Sequence, residues 1–312
     1  MSSPPFSIDV VIPAYNAGDY ITQTLQSVAD QDIAIANVIV VNDGSTDNTQ
    51  SCVEQFVEAN PHLNIVLINQ ANAGLSAARN AGIHHSKADF IAPLDADDLW
   101  KPNKLSSQLK LFAGSENPQL GVVYCAYELI DDAGNNISSN PRSVIAPTLR
   151  GMIYKSLLRG NFISASGSGV LVKRSVFDTV GLFDESLRAC EDWDMWLRIA
   201  LQYQFDFVNT VLVSIRVHQN NMQKDLMRML SAELMVLNKF SERGDENSFL
   251  LWKIRTYLFN KGVKANTIPG FEKCTPRLQA QLSGWRMDAA TTLLAPARIL
   301  ANLYLKTRTR PD

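Results

Sequence analysis

The feature that most constrains this chain is an alternation running through its first 130 residues, in which short Val- and Ile-rich runs are separated by amphipathic stretches. The runs are residues 9–13 (DVVIP), 37–41 (NVIVV), 64–68 (NIVLI), 90–94 (FIAPL) and 121–126 (GVVYCA). Continuous apolar runs this short fit strands buried on both faces, as in a parallel sheet. Between them, residues 20–29 place Ile21, Leu25 and Val28 on one helical face, and residues 49–58 carry Val53, Phe56 and Val57. Residues 75–83 are rich in Ala, and residues 104–112 follow Pro102, a good first-turn residue. The alternation predicts an α/β fold with a mostly parallel central sheet flanked by helices.

Past Pro147 the pattern changes. The spacing predicts a helix over 148–158, then a small-residue segment at 163–169 (ISASGSG) and a short strand at 170–173. A segment at 181–187, a helix over 191–201 and a strand over 211–217 follow. Beyond Asn220 the chain reads as helical, with breaks near Gly244, Pro269, Pro276 and Pro296, and there is no internal repeat. A length of 312 residues suits about two domains. The expected division is an α/β domain over 1–220 and a helical extension over 221–312.

Charge narrows the function. Lys plus Arg is 29 against 31 for Asp plus Glu, a net of −2, which excludes a protein held to nucleic acid mainly by neutralising phosphates. The balance is uneven, however. Residues 1–100 hold twelve acidic residues and two basic ones, Arg79 and Lys87, whereas from Trp285 onward five basic residues face two acidic ones. The acidic third suits a cation, and the basic end suits a surface contact. No run reaches the ~18 apolar residues of a membrane span. The opening MSSPPFSIDV has no basic segment before an apolar core, so no signal peptide is expected. Cys52, Cys125, Cys190 and Cys274 lie far apart, which points to reduced thiols and a cytoplasmic location.

In open α/β sheets ligands bind beyond the carboxyl ends of the strands. The four leading runs end in Pro13-Ala14-Tyr15-Asn16, Asn42-Asp43-Gly44-Ser45-Thr46-Asp47, Asn69-Gln70-Ala71-Asn72-Ala73-Gly74 and Asp95-Ala96-Asp97-Asp98. Each alone is also a fair turn or helix cap; together they deliver polar and acidic groups to one rim. The carboxylates of Asp95 to Asp98 repel one another, so a divalent cation is the natural offset, with a solvated acidic turn as the alternative. Mg²⁺ or Mn²⁺ binds through one or two carboxylates and substrate phosphates. No G-x-x-x-x-G-K-S/T loop is present, and Pro13-Ala14-Tyr15-Asn16 stands where a dinucleotide fold needs G-x-G-x-x-G. Arg79 suits a phosphate or a base carbonyl, or a neighbouring Asp.

These motifs, with residues 41–49 (VNDGSTDNT), 72–83 (NAGLSAARNAGI), Glu191-Asp192-Trp193-Asp194 and Arg216-Val217-His218, resemble the successive signatures of the GT-A-fold, inverting glycosyltransferases of family two. The resemblance covers about residues 6–223. It implies a nucleotide-sugar half over about 1–100 and an acceptor half over about 101–220. Pro13, Ala14, Tyr15, Asn16 and Asp43 would line the nucleotide pocket, with Arg79 facing the base or diphosphate. Asp95, beside Ala96, would contact the ribose, and Asp97 would ligate Mg²⁺ or Mn²⁺. His218 would reach the metal or the diphosphate, although the family's usual H-P-G-N-x-S reads here His218-Gln-Asn-Asn-Met-Gln. Asp192 would be the general base, Glu191 its support, and Trp193 and Trp196 would pack or frame the acceptor, Trp196 fitting the core better. Further acceptor contacts would come from residues 163–169, the segment around 187–190 and the helical tail.

The resemblance implies transfer from a nucleotide-diphosphate sugar, most often a UDP-sugar, to the hydroxyl of a glycan or lipid-linked acceptor in surface polysaccharide or glycoconjugate assembly. A nucleotidyltransferase would show a Gly-rich, basic segment after the first strand, and a non-catalytic binder would have lost Asp97 or Asp192. At the far end, residues 291–304 put Leu293, Leu294, Ala297, Leu300 and Tyr304 roughly on one side, ahead of Lys306, Arg308 and Arg310. That face suits an anionic membrane surface on the cytoplasmic side, the catalytic domain, or a second subunit of a homo-oligomer.

Overall fold

In the computed structural model all seven residues of the first strand, β1 (Ile8–Ala14), are buried, as expected of a strand covered on both faces. The structure describes residues 6–137, 144–218, 225–241, 268–269, 271–274 and 279. After β1 come α1 (Ile21–Ala29), β2 (Asn37–Asp43), α2 (Thr49–Ala59), β3 (Ile65–Gln70), α3 (Leu75–His85), β4 (Phe90–Pro93), β5 (Leu99–Trp100), α4 (Lys104–Ala113) and β6 (Leu120–Ile130). They are followed by α5 (Tyr154–Leu157), α6 (Ser166–Gly169), β7 (Leu171–Lys173), α7 (Arg174–Val180), α8 (Glu191–Ala200), β8 (Gln204–Arg216) and α9 (Leu226–Ser241). The chain divides into two compact units, 1–236 and 237–312; residues 285–312, with their apolar face and basic end, lie outside the described residues.

Eight strands form one sheet in the order β3-β2-β1-β4-β7-β6-β8-β5. β1 to β4 pair in parallel, as do β6 and β8, while β7 runs against β4 and β6 and β5 runs against β8. The expected mostly parallel α/β sheet is therefore present. Ile21, Leu25 and Val28 of α1 and Val53 and Phe56 of α2 join β1 and β2 in its core. Both reversals bring distant chain to the rim. Pairing of Ile91 with Val172 carries the chain before β7, namely α6, to the end of β4. Pairing of Leu99 with Ser214 sets the end of β8 beside Asp98.

Three expectations change. The helix over 148–158 shrinks to α5, because Gly151 has a φ of 81° and pairs with Phe205 as an isolated bridge. The last strand begins at Gln204, not 211, since Gln204–Phe207 pair with β6. The small-residue segment holds one helical turn, α6, and α7 and the two-residue β5 were not expected. Among the described residues no helix is long and apolar enough to cross a membrane. The four cysteines are free thiols, Cys125 and Cys274 buried and Cys52 and Cys190 partly so.

A lysine lies in the core. Lys104, the first residue of α4, is 0% exposed. Its Nζ sits 3.9 Å from the centre of the Trp100 ring and 3.2 Å from the Val170 carbonyl. Burial pushes its pKa from 10.5 down to about 7. Between those values the unfolded chain holds a proton that the folded chain lacks, so this group makes stability rise with pH across that window. Urea unfolding at pH 7 and pH 9 should show the wild type gaining about 2–3 kcal/mol over Lys104→Met. Identical trends in the two proteins would mean that Lys104 is protonated in the fold.

Candidate active site

The strand register brings the rim residues together: Ala14 pairs with Asn42, and Asp43 with Gln70. Beyond β1, Asn16 adopts the left-handed region at φ 49°. Its amide N–H donates to Ser45 Oγ at 3.0 Å, and its Oδ1 accepts from the Thr46 amide at 2.8 Å. Pro13 and Ala14 are buried, and Tyr15 is 54% exposed. Asp43 is 2% exposed. Its carboxylate accepts from Gln70 Nε2 at 2.8 Å and from the amides of Ala73 and Gly74 at 2.9 and 2.8 Å. It therefore shapes the loop ahead of α3.

Arg79 of α3 lies beneath the rim. Its Nη2 donates to Asp95 Oδ1 and its Nη1 to Glu191 Oε1, each at 2.7 Å, with 3% of the side chain exposed. Burial alone would lower its pKa, but the two carboxylates hold it above the ordinary arginine value. The guanidinium, on α3, reaches Glu191 112 positions further along the chain and is a buried link between two carboxylates. Gly167 of α6 lies against this ion triad: a Cβ there would stand 2.5 Å from Asp95 Oδ2 and 2.7 Å from Arg79 Nη2. Gly167→Ala should therefore cost about 1–3 kcal/mol in urea unfolding. A cost below ~0.5 kcal/mol would show that the triad yields freely.

The rest of the acidic segment is built from behind. Asp98 is buried and accepts from Ser168 Oγ and from the Arg216 amide at 3.0 Å. Burial, and then the charges of Asp97 and Asp95, raise its pKa well above the ordinary carboxylate value. Arg216, fully buried at the end of β8, donates Nε to the Asp97 carbonyl at 2.9 Å. Its Nη1 donates to the carbonyls of Asp131 and Asp132 at 3.0 and 2.7 Å, and its Nη2 to Gln23 Oε1 at 3.0 Å. Two residues on, His218 Nε2 lies 2.8 Å from Asp97 Oδ2, and its ring stacks on Tyr20 at 5.4 Å between centroids. Burial and the neighbouring Asp95 charge raise the Asp97 pKa, and the His218 hydrogen bond opposes them.

These residues fit a divalent cation. A separation of 2.8 Å between Asp97 Oδ2 and His218 Nε2 is close to the ~3 Å between adjacent ligands of an octahedral ion with bonds of about 2.1 Å. Among the described residues no group of three or more His, Cys, Asp or Glu is arranged to hold a metal. As a pair, Asp97 and His218 would leave most of the coordination shell to water or substrate, the usual condition for Mg²⁺ with phosphates.

Opposite stands α8, entered through Cys190 in the left-handed region at φ 56°. Asp192 Oδ1 accepts its own neighbour's amide, that of Trp193, at 2.6 Å, and Oδ2 accepts from Asn161 Nδ2 at 3.0 Å. Asn161 Oδ1 in turn accepts from the Ile163 amide at 3.2 Å. Glu191 is buried, and burial raises its pKa while Arg79 pulls it down. Trp193 is 4% exposed and donates its indole N–H to the Leu157 carbonyl at 2.8 Å, so its ring packs. Trp196 is core. Ala96 is buried under Thr24, whose hydroxyl donates to its carbonyl at 2.8 Å. Asn161, beside a glycine, and Tyr20 carry no motif that marks them in the sequence. Within the ISASGSG segment, Ser168 donates to Asp98 and accepts from the Asp95 amide at 3.1 Å.

A family model described as Glycosyl transferase family 2 matches residues 9–181. An uncharacterized glycosyltransferase of Rickettsia typhi is 26% identical over 262 residues, spanning 81% of this chain and 77% of the relative. The chain spans 41% of a longer relative from Rickettsia felis. Among solved structures, S. aureus TarS 1–349 in complex with UDP-GlcNAc superposes with a TM-score of 0.61 at 17% identity, over 88% of this chain and 78% of that one. Mannosyltransferase PcManGT from Pyrobaculum calidifontis, in complex with GDP-Man and Mn²⁺, superposes at 0.59 with 20% identity, over 96% and 83%.

Proposed function

The chain belongs to glycosyl transferase family 2, with the GT-A fold, and is a glycosyltransferase; we propose that it moves a sugar from a nucleoside-diphosphate donor to an acceptor hydroxyl in one inverting, metal-assisted displacement. The observation that carries this reading is the single buried guanidinium joining Asp95 of the D-x-D to Glu191, the residue before Asp192. It holds a cation-binding edge and a candidate base in one frame. The complexes of TarS with UDP-GlcNAc and of PcManGT with GDP-Man and Mn²⁺ support a nucleotide-sugar donor and a divalent ion.

In this mechanism Asp97 and His218 would hold Mg²⁺ or Mn²⁺, which would supply charge stabilisation for the departing diphosphate. Tyr15, Asn16 and the loop shaped by Asp43 border the nucleotide, and Asp95, oriented by Arg79, meets the ribose. Asp192, held by Asn161, takes the proton from the acceptor hydroxyl. That oxygen bonds to the anomeric carbon as the bond to the diphosphate breaks, and the leaving group keeps the electron pair. A single displacement inverts the configuration and needs no covalent nucleophile.

The acceptor is proposed to be a glycan or lipid-linked sugar approaching along α5 and the Asn161 loop, in surface polysaccharide or glycoconjugate assembly. Against a nucleotidyltransferase stands the loop after β1, which carries no basic residue. Against a non-catalytic binder stands Asp192, whose Oδ2 is oriented by a side chain from a separate loop. The test is a panel of UDP- and GDP-sugars screened by thermal shift with and without Mn²⁺. One sugar nucleotide should raise the melting temperature in a Mn²⁺-dependent way; no stabilisation by any member would sink the donor assignment.

A further inference from the structure

A nucleoside diphosphate brings at least two negative charges to a rim already lined by Asp95, Asp97 and Asp192, and the nucleotide-binding half has almost nothing to offset them. Its two basic residues are Arg79 and Lys87. Arg79 is buried and engaged by Asp95 and Glu191. Lys87 sits in the turn before β4, at the opposite, amino end of the strands. Arg216 is buried with its N–H groups on main-chain carbonyls and Gln23. Lys101 is 2.7 Å from Glu128. Any protein cation that joins the proposed metal ion at the diphosphate therefore comes from the other half of the sheet.

One does. Arg188 lies in the loop before α8, with buried Leu187 and Ala189 on either side fixing its side chain outward. Its guanidinium crosses to the loop ahead of α3, where Nη1 is 3.5 Å from the Ala73 carbonyl. It lies over Gly74, which has a φ of 96°: a Cβ there would stand 2.8 Å from that same Nη1. This is the loop whose amides are gathered by Asp43, so the guanidinium hangs over the proposed nucleotide pocket. The Arg188 backbone is fixed from a third direction, because Arg228 of α9 donates Nε to its carbonyl at 2.8 Å. We infer that Arg188 is the protein cation that binds the diphosphate of the donor. The inference rests on the nucleotide-sugar reading above. It places a donor contact on the loop that leads directly into Glu191 and Asp192, so donor binding and the setting of the acceptor base share one short piece of chain.

The test compares wild type, Arg188→Ala and Arg188→Lys by calorimetric titration with UDP and GDP in Mn²⁺, and with uridine and guanosine by ligand-observed NMR. Because Arg188 is exposed, all three proteins should melt alike. Arg188→Ala should weaken the preferred diphosphate by ~10–100-fold, the value of a charge-assisted hydrogen bond, and Arg188→Lys should recover part of that. Affinity for the bare nucleoside should not change. Unchanged diphosphate affinity in Arg188→Ala, an ordinary solvated arginine, would overturn the inference. So would an equal loss for nucleoside and diphosphate, which would put the guanidinium on the base. If wild type binds neither diphosphate while a UDP- or GDP-sugar still stabilises it, only the Arg188 contact to a free diphosphate falls. If no nucleotide of either kind binds, the donor reading itself falls.

Discussion

Asp192→Asn is expected to slow sugar transfer by ~10²–10⁴, the usual contribution of a positioned general base, while leaving metal–nucleotide affinity within about twofold. The substitution keeps one contact and breaks the other. Asn keeps an oxygen for the Trp193 amide at the start of α8 but turns its Nδ2 toward the donating Nδ2 of Asn161, and losing that one exposed hydrogen bond should cost about 1 kcal/mol of stability. Asn161 tests the same point from the other side, since its amide donates to the second carboxylate oxygen while its carbonyl is held by Ile163. Single-turnover rates with saturating donor, measured beside urea unfolding, separate chemistry from folding. Turnover close to wild type would remove Asp192 from the mechanism and direct attention to Glu191.

Asp97→Asn should produce the largest loss in binding. Changing a residue that merely orients a metal ligand commonly costs 10–100-fold in affinity, so removing a ligand charge should cost at least ~10²-fold in Mn²⁺-dependent affinity for the nucleoside diphosphate. The Asn amide still reaches His218, and its backbone carbonyl still accepts from Arg216. The fold should survive, all the more because burial beside Asp95 disfavours the Asp97 charge in the absence of a cation. Titration of UDP or GDP with Mn²⁺, compared with the same nucleotide in chelator, gives the metal-dependent part directly. An unaltered metal-dependent part would reassign the ligand role within the acidic segment.

Much of the fold was legible because it is written locally. Val- and Ile-rich runs buried on both faces announce β1 to β4 and β6, and the amphipathic stretches between them announce α1 to α4. The rim was legible too, since parallel strands must deliver their ends to one side. What escaped is what depends on distant partners. β5 is two residues long and exists because β8 pairs with it. α6 is one turn that lies with Gly167 against Asp95 and Arg79. The sequence left Arg79 open between a ligand and a neighbouring Asp; it pairs with Asp95, and the placement of α8 adds Glu191 and makes it a buried link. Asn161 carried no motif, and its part depends on a loop closing over 31 residues to meet Asp192.

The buried arginine also sets a rule for recombination. A chimera that joined the first hundred residues of this chain to the later portion of a relative would carry Arg79 into a setting that must already offer a carboxylate in the place of Glu191 and a small residue in the place of Gly167. Without the first, a desolvated cation loses half of its neutralisation; without the second, a Cβ crowds Asp95 and Arg79 at the cost expected of Gly167→Ala. Breeding new acceptor preferences into this scaffold by exchanging segments should therefore succeed when the crossovers leave Arg79, Asp95, Gly167 and Glu191 as one inherited set, and fail at the folding step when they split it.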